Sequence, residues 1–95
     1  MQITFMSQTW EIRDALPREL VDCLGQCDPK TNTIIIDPDL TGWVRLQTIF
    51  HEVFHIWEMT MNQCLTEQQV DTMAAAMIHC LHENPELVRL IEDIE

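Results

Sequence analysis

Basic residues are scarce in this chain: five Lys and Arg stand against sixteen Asp and Glu, a formal charge of −11. Such a surface repels phosphate backbones and anionic headgroups and leaves no basic patch, which argues against nucleic acid and membrane surfaces as partners. Apolar runs are short as well. Nowhere do about eighteen apolar residues follow one another, and the N-terminus lacks a basic start leading into an apolar stretch, so neither a membrane span nor a secretion signal is encoded. The expectation is a soluble, cytoplasmic protein. Cys23, Cys27, Cys64 and Cys80 include no Cys-x-x-Cys pair, so a four-thiolate zinc site is not indicated, and in a reducing compartment the four are expected as free thiols. Tyrosine is absent altogether, which removes one common side chain for stabilising an oxyanion.

What is present fits one domain. A chain of 95 residues, 46% hydrophobic, supplies a single small core and no room for a second. Ile3, Phe5, Trp10 and Ile12 alternate with polar residues, the period of half-buried strands. Leu16, Leu20, Val21 and Leu24 recur at helical spacing between Pro17 and Gly25, predicting a short helix. Turn chemistry at Asp28-Pro29-Lys30-Thr31-Asn32 then leads into the β-branched run Thr33-Ile34-Ile35-Ile36-Asp37, closed by Pro38. If that strand lies at a sheet edge, an extended peptide could pair with it; as a core strand it could not.

From about Thr41 to about Met61, Leu46, Ile49, Phe50, Val53 and Trp57 recur every three or four residues and predict one long helix. A second helix opens with the capping-box pattern Thr66-Glu67-Gln68-Gln69 and carries Val70, Met73, Ala74, Met77, Ile78 and Leu81 on one side. Asn84-Pro85 ends it and starts a short final helix, with Leu87, Leu90, Ile91 and Ile94 as its expected inner face. The predicted fold is α+β: a small sheet of about three strands, a long helix, a second packed helix and a short C-terminal helix, in one domain over residues 1–95.

The chemistry lies in His51-Glu52-Val53-Phe54-His55. At 3.6 residues per turn, His51 and His55 project from one side of the long helix, so their ring nitrogens can meet on one ion. Zinc accepts imidazole nitrogen, and a hydrolytic site needs three protein ligands plus a position for water. Glu52 is placed to act on that water as general base, once the metal has lowered the water's pKa from about 15.7 towards 7. The third ligand has to come from elsewhere, and the second helix offers Glu67 and Asp71, one turn apart. Asp71 is preferred, because it sits between Val70 and Ala74 in an apolar stretch where an unpaired carboxylate would be costly to bury, while Glu67 is already favoured by the helix dipole. A second electrophile would have to be Arg45, His79, His82 or a backbone amide, and Glu58, one turn beyond His55, is either a partner of that histidine or a solvated side chain.

The segments Ile34-Ile35-Ile36-Asp37-Pro38, Leu46 to His55 and Glu67-Gln68-Gln69-Val70-Asp71, which span more than half of the chain, resemble small phage-encoded metallopeptidase-like proteins. More distantly the chain is similar to zincins of the ImmA/IrrE type. In these a following helix supplies an acidic ligand in an acidic-x-x-Ala pattern, matched here by Asp71-Thr72-Met73-Ala74. The resemblance implies zinc, with Asp71 as ligand, although aspartate stands where the family pattern commonly has glutamate. Three readings follow: a minimal zinc metallopeptidase with a protein or peptide substrate, a small binding protein in which zinc is structural, and a metal-free acidic interaction domain.

Overall fold

A computed structural model describes residues 1–94. The elements in chain order are β1 (Gln2–Phe5), β2 (Gln8–Asp14), β3 (Gly25–Asp28), β4 (Thr33–Ile36), α1 (Gly42–Thr60), α2 (Glu67–Glu83) and α3 (Pro85–Glu92). The α+β order of the sequence reading holds, with one strand more than expected. The four strands form a single sheet in the order β1-β2-β4-β3, antiparallel except for the parallel β2/β4 pair.

β1 and β2 form a hairpin through Met6 and Ser7, both at positive φ (48° and 69°), as a two-residue turn matched to strand twist requires. Ile3 pairs with Trp10, and Ile12 and Cys27 flank Ile34 in register. Trp10, Ile12, Ile34 and Ile36 therefore share one face, which packs on Val53 and Ile56 of α1. β4 lies between two strands and is buried on both faces, which is why it reads as an unbroken apolar run. It is not an edge to which a peptide could add; the edges are β1 and β3. The missed strand left one signal in the sequence: a turn at 29–32 before a secure strand implies a hairpin partner upstream.

The helix expected over Leu16–Leu24 is absent. Asp14 and Gly25 both pair with Ile36, from opposite sides, so the ten residues between them join points only about two strand spacings, roughly 10 Å, apart. A nine-residue helix would be about 13.5 Å long and would have to be turned back on itself. Instead the segment folds into turns, with Arg18 and Asp22 at positive φ (69° and 54°). A paired fork from Arg13 to the Glu19 carboxylate holds it, with the Leu16 amide donating to the same group.

α2 begins where its capping box predicts, with reciprocal bonds between Thr66 and Gln69. Val70, Ala74 and Ile78 form its buried spine, of which Val70 and Ala74 pack with Phe54 of α1. α3 departs from expectation: Leu87, Leu90, Ile91 and Ile94 are not an inner face but are 41–75% exposed, because the helix leaves the end of α2 without reaching the sheet. Asn84 makes no side-chain cap for it; its amide donates to the Cys80 carbonyl and so closes α2. No helix among the described residues is long and apolar enough to cross a membrane.

Candidate metal centre

α1 lies on the sheet through Val53 and Ile56, which turns its other side, from Val44 through Gln47, Thr48, His51 and Glu52 to His55, towards an open cleft of about 600 Å³. Glu67 and Asp71 of α2 close one flank, and the segment Cys23–Gly25 leading into β3 closes the other. β3 can approach so closely only because residue 25 is glycine: a Cβ there would stand 2.9 Å from Thr48 Cγ2 and 3.4 Å from Glu52 Cγ. Apart from Glu52 at 6% exposure, no polar or charged side chain among the described residues is buried.

The two imidazoles meet as the helical spacing requires, Nε2 to Nε2 at 3.1 Å. Each Nδ1 faces a carboxylate: His51 Nδ1 lies 2.6 Å from Asp71 Oδ1, and His55 Nδ1 lies 2.9 Å from Glu58 Oε1. A carboxylate only accepts, so a neutral imidazole that donates from Nδ1 to its carboxylate turns an Nε2 lone pair towards the other ring. The Glu67 carboxylate bridges the same two atoms, with Oε2 2.9 Å from His51 Nε2 and Oε1 3.0 Å from His55 Nε2. With both rings in that tautomer three electron-pair donors converge, an arrangement that a shared cation, a metal ion or a proton, satisfies. Donors bound at about 2.0–2.1 Å around tetrahedral zinc stand roughly 3.3 Å apart, close to the spacing found here. Two nitrogens and one carboxylate oxygen are also a ligand set that suits this ion.

Asp71 and Glu67, the two candidates for third ligand, both reach His51, on different ring nitrogens. Asp71 does not share the point between the imidazoles; it holds the far side of His51. The reason for preferring it fails, since its side chain is 63% exposed and carries no burial cost for a metal to offset. Glu67, in the first turn of α2, is the carboxylate aimed at the two histidines. Glu58 does partner His55, and its other oxygen accepts the Leu65 amide, so one carboxylate orients the histidine and ties down the loop that delivers α2.

Charges follow the same arrangement. Burial pushes the Glu52 carboxyl above its usual range, a shift moderated by His51 and His55. One of its oxygens, Oε2, is buried without a hydrogen-bond partner, and the group lies within 4.8 Å of both imidazoles. His55 is raised: burial opposes its charge, but the bond it donates to Glu58 and the nearby Glu67 and Glu52 outweigh it. Glu58 is lowered, first by the Leu65 amide and then by His55. All four cysteines are free. The Cys27 thiol, against the core, is pushed up to about 11 by burial and by Glu52.

The other electrophile candidates lie outside the cleft. Arg45 is bound to Asp14, while His79 stacks on Trp43 at 5.0 Å and His82 meets the same ring edge-on at 4.9 Å. Gln47, unremarked in the sequence, lines the cleft one turn before His51. Comparisons with protein-family models, curated proteins and solved structures give no match.

Proposed function

We propose that this protein is a zinc-dependent peptidase, with His51, His55 and Glu67 as ligands and Glu52 as general base. The observation that carries the reading is the convergence of two imidazole Nε2 atoms and a carboxylate at 2.9–3.1 Å, beside a buried carboxylate with an unpartnered oxygen. Zinc, when bound, supplies the Lewis acidity that brings a water to nucleophilic strength near neutral pH. Asp71 and Glu58 hold the imidazoles in the tautomer that leaves Nε2 free, and they raise the basicity of the rings. Glu52 receives the proton from the attacking water on its carboxylate and can pass it to the leaving amine. Gln47 is the side chain of the cleft best suited to donate to a carbonyl oxygen, since the Thr48 hydroxyl already donates to the Val44 carbonyl.

The decisive variant is Glu52→Gln. It is expected to retain one zinc per chain and to lose cleavage of a peptide library by about 100-fold or more; an unchanged turnover would refute the assignment. One observation favours a second reading, a structural zinc that fastens α1 to α2: the cleft is lined by no Lys, Arg or Tyr that could stabilise an oxyanion. Under that reading Glu52→Gln changes nothing, and zinc removal melts the domain.

A further inference from the structure

The cleft differs along its length. Around the two histidines its walls are acidic, from Glu52, Glu67 and Asp71, and no Lys or Arg lines any part of it. Apolar lining comes from Val44, at the far end on α1, and from Leu24 of the opposite flank, left 54% and 49% exposed. Val44 precedes His51 by seven residues, about 10 Å along the helix, and an extended peptide covers that distance in about three residues.

Building on the peptidase reading, we infer that the cleft takes an internal peptide segment with no carboxylate at the cleaved bond, anchored by an apolar side chain two or three residues away against Val44 and Leu24. Two features carry this. A free C-terminal carboxylate, or an acidic side chain beside the bond, would meet three carboxylates that one dication does not fully neutralise, and no Lys or Arg to pair with, so terminal trimming of the carboxyl end is disfavoured. An apolar anchor would cover two side chains that the protein itself leaves half in water, and burying a leucine there strengthens binding by about tenfold or more. The ion neutralises part of the acidic end but reaches neither Val44 nor Leu24, so the apolar preference holds in the loaded protein. Val44, Leu24 and the uncompensated carboxylates are on this inference the specificity determinants.

Three series of end-blocked, fluorescently labelled decapeptides test it: one with Leu two or three residues to either side of a central Ala-Ala bond, one with Ala in place of that Leu, and one with Leu retained but Glu flanking the bond. Binding is read by anisotropy with zinc-loaded Glu52→Gln protein, and cleavage with the zinc-loaded wild type. The Leu series is expected to exceed both others by about tenfold in binding and in kcat/KM. Val44→Asp, on a half-exposed helical position, should bring the Leu series down to the Ala series with zinc content unaltered; Leu24→Asp provides the same check from the other flank. Cleavage without preference among the series overturns this inference and leaves the peptidase reading standing. Preferential binding without cleavage by the wild type supports the cleft's specificity and refutes the peptidase reading, and neither binding nor cleavage overturns both.

Discussion

Replacing Glu67 and Asp71 separately by alanine gives the sharpest test of the centre, because the two carboxylates lie one turn apart on α2 yet hold opposite sides of His51. Zinc at a hundred times its dissociation constant stabilises the wild type by about 2.7 kcal/mol. For a domain of this size each kcal/mol moves Tm by about 4–8 °C, so zinc should raise it by roughly 11–22 °C. Asp71→Ala removes only the acceptor for the His51 Nδ1 hydrogen, a loss that weakens metal binding by about 10–100-fold. At the same zinc concentration the gain falls to about 0.4–1.4 kcal/mol, or roughly 2–11 °C. Glu67→Ala removes one of three ligands and should abolish the rise. Differential scanning fluorimetry with and without zinc, alongside titration against a chromophoric chelator, measures both quantities. If Glu67→Ala kept the full shift and Asp71→Ala lost it, the ligand assignment would be reversed and the argument from converging lone pairs would fail.

Two further outcomes concern the frame around the site. Gly25→Ala places a Cβ 2.9 Å from Thr48 Cγ2 and should destabilise by about 1–3 kcal/mol by overpacking. Thr48→Ser, which deletes that methyl but keeps the hydroxyl, should restore most of the loss in the double variant, and additive effects in denaturant melts would refute the contact. Glu19 is lowered to about 2, first by its bond from Arg13 and then by the Leu16 amide. A depressed carboxyl stabilises the fold above its unfolded pKa and loses that contribution as pH falls towards the folded value. The Tm difference between wild type and Glu19→Gln should therefore be full above about pH 5 and vanish near pH 2, and a difference constant over that range would show that the ion pair does not hold the 15–24 segment.

Local patterns in the chain determined a good deal. The four-residue spacing of His51 and His55 on an amphipathic helix was enough to place both rings on one side, since a helix sets that geometry by itself. The Thr66–Gln69 capping box set where α2 starts, because those bonds close within four residues. The α+β order followed from runs whose period is short compared with their length. Other features depended on distances between elements. The register that puts Asp14 and Gly25 on either side of Ile36 turned a helical-looking segment into turns, and the same sheet made β4 a core strand and β3 an edge. The path of α3 off the end of α2 left its apolar side uncovered. Which nitrogen of His51 each of Glu67 and Asp71 meets is also a matter of tertiary structure. Both point from α2 towards α1, and only the packing of Phe54 on Val70 and Ala74 sets which carboxylate meets Nε2 and which meets Nδ1. A ligand atom is chosen at the scale of a single bond length, which spacing along a chain does not specify and the separation of two packed helices does.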